Sequence, residues 1–296
     1  MLLWPSVRSI AYLDVMDKIN CFPTGDYLAD SVINKLKDNK NNNCFIWTHF
    51  LDVHQSQDII HRNRFIPFWK SIEINDQNNH QWDQIVLSST IYVDKQLGKI
   101  KKYLSSVNQL EDSLVILTAD HGLTPSYPIR NEGRSRNWFY EEFIKVPMIF
   151  YGKGIKNSIN DKLCGHIDLL PTLLDILKIK DCEGMKGKSL ISSEYNDREY
   201  LIIENLGLGM CDFAHKPIQI TLRSEKYKYF WIESSNKLKN NWLFKEQWEN
   251  LENLLFDLHN DPLEKNNIIK HPSVEEIQKK FQRICEKRCE ELRKTN

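Results

Sequence analysis

Long apolar runs are absent from this chain of 296 residues, and so is any excess of charge of one sign. No run approaches the ~18 to 20 apolar residues that a membrane-spanning helix needs. The 40 basic side chains balance the 40 acidic ones, which removes any general electrostatic attraction to nucleic acid or to an anionic membrane. We therefore expect no membrane span and no nucleic-acid partner.

Cysteine is sparse and irregularly spaced, with 7 residues in the chain. An odd count without a regular framework argues against a set of disulfides and favours a reducing compartment. The N-terminal segment lacks a charged stretch followed by a long apolar one, so no signal peptide is predicted. We expect a cytoplasmic protein if Met1 is the genuine N-terminus, and the compartment stays open if a segment is missing there.

The first two thirds of the chain alternate between helical patterns and short apolar runs. Apolar residues at helical spacing predict helices at 27–37, 85–104 and 171–177. Continuous apolar runs predict buried strands at 44–48, 114–119 and 146–151. A long loop is expected at 55–82. This alternation predicts an α/β sheet with helices covering both faces.

The last third has a different pattern, in which short strand-like runs follow one another without long helices between them. These runs lie at 200–204, 218–223 and 227–232, and they predict a small antiparallel subdomain. A charged helix with one apolar stripe is predicted over 273–293. The predicted division is a partial α/β core (1–194), an antiparallel subdomain (195–270) and a C-terminal helix (271–296).

Aspartate and histidine follow the predicted strand at 114–119, which is the end of a strand where open α/β sheets bind their ligands. Asp120 offers a hard oxygen ligand, His121 offers a borderline nitrogen ligand, and Gly122 allows the backbone to turn sharply. Asp120 and His121 are therefore candidates to share one divalent metal. The tripeptide alone is also compatible with an ordinary turn and a solvated loop histidine.

A second polar cluster, His49, Asp52 and His54, follows the predicted strand at 44–48. A histidine in this place is able to bind an anionic oxygen or to donate a proton to a leaving group. A strand end with hydrogen-bonded polar groups is the alternative. Further along the chain, Arg134 and Arg136 are candidates to pair with a sulfate or phosphate group, with ordinary surface arginines as the alternative.

Motifs in a fixed order along the chain resemble the sulfatase family of the alkaline phosphatase superfamily. They are FIWTHFLDVH (45–54), IYVDKQLGKIKKYL (91–104), LVILTADHG (114–122), YEEFIKVPMIFYGKGI (140–155), HIDLLPTLLDILKI (166–179), RSEKYKYF (223–230) and LFDLHNDPLEKNNI (255–268). Their collinear order is far more specific than any single motif. The resemblance implies an alkaline-phosphatase-like α/β/α sandwich, incomplete at the N-terminus, with a small C-terminal antiparallel subdomain.

The resemblance also implies metal-dependent hydrolysis of a small anionic ester, a sulfate ester, with one divalent metal that could be Ca, Mn, Mg or Zn. Asp120 resembles the family's metal-binding aspartate, and His121 occupies the neighbouring ligand position. His54 resembles the histidine that contacts the substrate anion or the leaving group. Arg136 stands where the family often has an anion-binding lysine, a difference that keeps the charge but changes the donor geometry.

The N-terminal motifs of the family are not matched in this sequence. Its paired metal-binding aspartates have no counterpart, and the segment from Cys21 to Gly25 imitates the C/S-x-P-x-R nucleophile motif with glycine in place of arginine. This segment also directly precedes the helix predicted at 27–37, whereas the family's nucleophile lies well upstream of that helix. We therefore expect a sulfatase-like hydrolase present as a truncated or split chain, with an N-terminal half on a separate chain as one candidate partner.

Two alternatives stay open. A non-catalytic sulfatase-fold remnant or interaction protein would keep the fold without the chemistry. A phosphodiesterase, phosphonate hydrolase or phosphotransferase of the same superfamily would keep catalysis on a different anionic ester. The softer His121 ligand suits manganese or zinc at least as well as calcium, which keeps the phosphate-type alternative in place.

Overall fold

The computed structural model of the protein describes residues 23–40, 42–55, 81–123, 139–152, 154–180, 183–192, 195, 198–205, 218–233 and 252–294. Within these ranges the chain packs as two units. The first unit holds the described residues up to Thr118 together with 147–155, and the second holds those of 119–146 and 156–294. The division into three domains at residues 195 and 271 stays a prediction.

The described helices of the first unit are α1 (Gly25–Asp38), the short α2 (Asp52–Gln55) and α3 (Gln81–Ser106). Helices α1 and α3 confirm the two helices predicted at 27–37 and 85–104. They pack on each other, and the side chains of Leu28, Ala29 and Ile85 are buried. Among the described helices, none combines the length and the apolar character that crossing a membrane requires.

The described part of the first unit also contains two strands. Strand β1 (Leu114–Thr118) pairs antiparallel with β2 (Met148–Gly152), which confirms the strands predicted at 114–119 and 146–151. The expectation that both are fully buried was wrong. Alternate side chains on one face are exposed, and they are Val115, Leu117, Ile149 and Tyr151. An apolar run in the sequence predicts a strand, but it does not show whether both faces of that strand are buried.

The strand predicted at 44–48 was also wrong within the described structure. Residues 43–50 have no strand hydrogen bonding, and Phe45 and Trp47 are exposed. A β-strand exists only where a neighbouring strand accepts its backbone hydrogen bonds, and no described segment pairs with 43–50. The predicted loop at 55–82 ends where α3 begins, and its residues 56–80 lie outside the described residues.

The second unit contains two short helices, a four-stranded sheet and a long C-terminal helix. Its elements are α4 (Glu141–Ile144), α5 (Leu169–Ile176), β3 (Tyr200–Asn205), β4 (Gln219–Ser224), β5 (Tyr227–Ile232), β6 (Leu254–Asp257) and α6 (Glu275–Lys294). The strands run antiparallel in the order β3-β4-β5-β6, which confirms the predicted antiparallel sheet and adds β6 to it. Helices α5 and α6 confirm the helices predicted at 171–177 and 273–293.

Both faces of this sheet are covered. On one face, side chains such as Leu222 and Tyr229 form a core with Phe281 and Cys285 of α6. The strand period of two places Phe230 on the opposite face, where its ring centroid lies 5.1 Å from that of Tyr140, the residue before α4. Helix α6 therefore packs on one face of the sheet, and Tyr140, directly before α4, packs on the other face.

The start of α5 depends on a buried carboxylate that the sequence analysis did not single out. Asp168 is fully buried and accepts hydrogen bonds from the backbone N–H groups of Gly165 (3.0 Å) and Lys188 (2.9 Å). It also forms an ion pair with Arg198. A buried charge needs such partners because an unpaired one is costly, so Asp168 ties three separate segments together.

Replacing Phe281 with alanine should destabilise the second unit strongly. The ring is 1% exposed and packs against Tyr200 and Tyr229, so its removal leaves a cavity and should cost ~3–5 kcal/mol. Arg283→Ala, an exposed change on the same helix, should alter stability by less than about 0.5 kcal/mol. Urea unfolding followed by circular dichroism measures both, and equal effects would contradict the packing described.

Candidate functional site

Asp120, His121 and Gly122 form a tight turn directly after β1 in the chain. The backbone N–H of His121 donates to Oδ1 of Asp120 over 3.0 Å. This contact turns the carboxylate back toward the backbone of the next residue. The irregular backbone allows Asp120 and His121 to lie on the same side. In a regular strand, the pleat would send the two side chains to opposite faces.

The ring of His121 is oriented by a hydrogen bond to the same turn. Its Nδ1 lies 2.7 Å from the carbonyl oxygen of Gly122. A carbonyl oxygen only accepts, so Nδ1 is the donor in this contact and Nε2 is the other ring nitrogen. A backbone carbonyl on one ring nitrogen is the usual way in which a metal-binding histidine has its other nitrogen aimed at the metal.

Two possible ligand atoms of these side chains lie close enough to share one cation. Nε2 of His121 is 3.8 Å from Oδ2 of Asp120. Bonds from zinc to nitrogen or oxygen are ~2.0–2.2 Å long, so an ion between these atoms can reach both. The side chains are 49% and 60% exposed, which makes this an open position at the protein surface. An aspartate and a histidine therefore fit a divalent cation as part of its ligand set.

Two ligands do not make a complete site. Within the described part of the chain, no group of three or more histidine, cysteine, aspartate or glutamate side chains is arranged to hold a metal ion. Structural and catalytic metal sites in proteins commonly use at least three protein ligands. Among the described residues, Asp120 and His121 are thus two candidate ligands and not a complete set.

Gly122 fixes the turn against α4. Its backbone N–H donates to the carbonyl oxygen of Phe143 over 2.6 Å. A Cβ atom built on Gly122 would lie 2.0 Å from the carbonyl oxygen of Glu142, so any side chain at this position would force the two backbones apart. The sequence analysis assigned Gly122 to a sharp turn, and it missed this close approach because no local spacing reveals a partner twenty residues away.

His54 lies on the short helix α2 and is exposed. Two residues earlier, Asp52 is buried, and its Oδ1 accepts a hydrogen bond from the backbone N–H of Gly25 over 3.2 Å. The polar cluster predicted after residue 48 therefore separates into a buried carboxylate that holds the start of α1 and a histidine that reaches solvent. This turn is helical, where the sequence predicted the end of a strand.

The candidate residues fall into separate parts of the structure. Asp120 and His121 are brought together in the second unit, whereas His54 belongs to the first unit. Arg136, the candidate for binding the substrate anion, lies outside the described residues, and so does Arg134. The roles of His54, Arg136, Asp120 and His121 stay predictions.

Comparison with known proteins gives a match to the family model described as Sulfatase over residues 14–179, which is more than half of the chain. Among curated proteins, an N-acetylglucosamine-6-O-sulfatase of Bacteroides thetaiotaomicron is 22% identical over 221 residues, covering 70% of this chain and 35% of the relative. A Delta 4,5-hexuronate-2-O-sulfatase of the same organism is 27% identical over 213 residues, covering 69% of this chain and 40% of the relative.

Among solved structures, the Bacteroides fragilis protein yidJ, assigned to the sulfatases, has a TM-score of 0.63 at 20% identity. The similarity covers 90% of this chain and 58% of that structure. This confirms the predicted alkaline-phosphatase-like α/β fold. The chain spans well under two thirds of the length of these relatives.

Replacing Gly122 with alanine should separate the turn from α4. The new Cβ would overlap the carbonyl oxygen of Glu142, so we expect a loss of more than ~1 kcal/mol in the free energy of unfolding. Gly98→Ala is the matched control, because nothing lies within 4 Å of a Cβ there and the residue is inside α3. The control should be stabilised by ~0.5–1 kcal/mol. Urea unfolding of both variants checks the prediction, and a neutral Gly122 variant would refute the close approach.

Proposed function

Because this chain belongs to the sulfatase family, we propose that it forms the metal-binding and substrate-binding part of a hydrolase of sulfate esters. The observation that carries this proposal is the family match over 14–179, a range that includes Asp120, His121, His54 and Arg136. The paired orientation of Asp120 and His121 supports it independently. Nε2 of His121 and Oδ2 of Asp120 lie 3.8 Å apart, close enough for one divalent cation to reach both.

The proposed substrate is a small anionic ester, and sulfated sugars are the first compounds to test. The two curated relatives are named for an N-acetylglucosamine 6-O-sulfate and a hexuronate 2-O-sulfate. A sulfate ester carries one negative charge spread over three outer oxygens, which suits bidentate binding by an arginine. We assign that role to Arg136.

Asp120 and His121 would hold the divalent cation, which is Ca, Mn, Mg or Zn. A bound cation polarises the ester and stabilises charge that develops on its oxygens. His54 is proposed to donate a proton to the leaving oxygen, because it is exposed and histidine is the side chain that most often serves as a general acid. The buried Asp52 fixes the helical turn from which His54 projects.

We propose that the nucleophile and the remaining metal ligands come from polypeptide outside these 296 residues, on the same chain or on a partner chain. The segment from Cys21 to Gly25 is a poor substitute for the nucleophile motif of the family. Gly25 is buried, and a Cβ there would lie 2.9 Å from Oδ2 of Asp52 and 3.0 Å from the ring of Tyr92. An arginine, which the nucleophile motif requires at this position, has no room.

Asp120→Ala should abolish binding of a divalent cation to this chain. The change removes one of the two ligand side chains, and a single imidazole does not hold a cation firmly. Binding of Mn²⁺ is measured from the electron paramagnetic resonance of the free ion, with Ca²⁺ and Zn²⁺ followed by calorimetry. Glu111→Ala, an exposed acidic residue shortly before β1, is the control and should bind normally. Unchanged metal binding by Asp120→Ala would refute the metal assignment.

Protein produced in its own cells should release sulfate from N-acetylglucosamine 6-sulfate or from another sulfated sugar. His54→Ala should lower kcat by ~10²–10⁴-fold, the usual contribution of a general acid, while metal binding is retained. Intact mass of the same sample shows whether further polypeptide is present on the chain. Hydrolysis of phosphate esters alone would replace the sulfatase proposal by its phosphate-type alternative. No turnover by a metal-loaded protein would favour a non-catalytic role.

A further inference from the structure

A lysine is fully buried between two carboxylates in the second unit. Nζ of Lys228, on β5, lies 3.0 Å from Oε1 of Glu141 and 2.7 Å from Oε1 of Glu264. Neither Lys228 nor Glu264 has an exposed side chain, and Nη2 of Arg223 approaches Glu141 to 3.5 Å. Two basic and two acidic groups thus form a neutral cluster on the face of the sheet that carries Tyr140.

Electrostatics within this cluster differ between the two carboxylates. Burial raises the pKa of Glu264, although Lys228 opposes the change. Burial would also raise the pKa of Glu141, but the combined attraction of Lys228 and Arg223 holds it below its usual range. Replacing such a cluster with apolar side chains is often no worse for stability, so stability alone is a weak reason for its presence.

Glu264 and Lys228 hold Glu141, the first residue of α4, through two separate contacts. Oε2 of Glu264 accepts a hydrogen bond from the backbone N–H of Glu141 over 2.7 Å, while Lys228 holds the side chain of Glu141. Helix α4 has four residues, which is far too short to be stable without tertiary contacts. Its position is therefore set by what it is attached to.

The other end of α4 holds the candidate metal turn. Phe143, which is buried, accepts the hydrogen bond from Gly122 through its carbonyl oxygen. A continuous path of short contacts thus runs from Lys228 and Glu264 through α4 to Gly122. Asp120 and His121 directly precede Gly122, and the His121 ring is itself hydrogen-bonded to the Gly122 carbonyl oxygen.

We propose that Glu264 and Lys228 are positioning residues, which fix α4 and thereby orient Asp120 and His121 for a divalent cation. The proposal rests on the proposed function insofar as these two residues bind a metal. It assigns a role in the site to residues that lie beyond the range matched by the family model.

The test compares two glutamates with the same kinds of partners. Glu264 pairs with Lys228 and accepts the N–H of Glu141, whereas Glu233 pairs with Arg293 and accepts the N–H of Ile218 over 3.2 Å. Both Glu264→Gln and Glu233→Gln remove a charge and keep an acceptor. No hydrogen bond described for Glu233 leads to α4, so Glu233→Gln is the matched control.

Glu264→Gln should weaken Mn²⁺ binding by about 10-fold or more, the effect typical of replacing a residue that orients a metal ligand. Glu233→Gln should change Mn²⁺ binding by less than about twofold. Amide hydrogen exchange of Gly122 is the second readout, and it should accelerate only in Glu264→Gln. Urea unfolding of both variants separates positioning from general stability. Equal effects of the two changes on binding and exchange, or none from Glu264→Gln, would overturn the proposal.

Lys228→Met provides a second variant that fills the same space without charge. It should show the same loss of Mn²⁺ affinity and the same faster exchange at Gly122, and a slow, unchanged Gly122 amide would count against the proposal. The two hypotheses remain distinguishable. If the unmodified protein binds no metal, or Asp120→Ala still binds it, the metal assignment fails, whereas Gly122 exchange decides the positioning role by itself.

Discussion

The candidate metal turn depends on a backbone contact between Gly122 and α4 that only glycine allows. Because a Cβ would lie 2.0 Å from the carbonyl oxygen of Glu142, the position of the turn is set by the absence of a side chain. The same glycine supplies the carbonyl oxygen that orients the His121 ring. One residue without a side chain thus determines where the turn lies and which nitrogen of His121 is hydrogen-bonded to the backbone.

Helix α4 is held by two kinds of contact that contribute differently. Tyr140 packs its ring against Phe230 and Phe256, which removes apolar surface from water but tolerates small shifts of the rings. The ion pair of Lys228 with Glu141 depends on distance and direction, so it defines a position more narrowly. Burial of the Tyr140 ring attaches α4 to the sheet. The ion pair between Lys228 and Glu141 sets the position of α4 on the sheet.

Much of the fold could be predicted from sequence, because helical spacing and strand runs are local signals. Helices α1, α3, α5 and α6, strands β1 and β2 and the antiparallel sheet follow from such patterns. The strand at 44–48 failed because pairing is a property of two segments. Asp120 and His121 were proposed as ligands from residue type and place, and that assignment stays a prediction. Their support by Phe143, Lys228 and Glu264 was not, since single-sequence spacing carries no information about distant partners.

The C-terminal sheet therefore belongs to the candidate site and is more than an appendage. The family match ends at residue 179, yet Lys228 and Glu264, which hold α4, come from the region after it. An open position with two ligands binds a cation weakly unless those ligands are already oriented, because orienting them costs conformational entropy at binding. Orientation imposed by the sheet lowers this cost. A fragment that stopped at residue 179 would retain Asp120 and His121, the two proposed ligands, and lose Lys228 and Glu264, which we propose orient them.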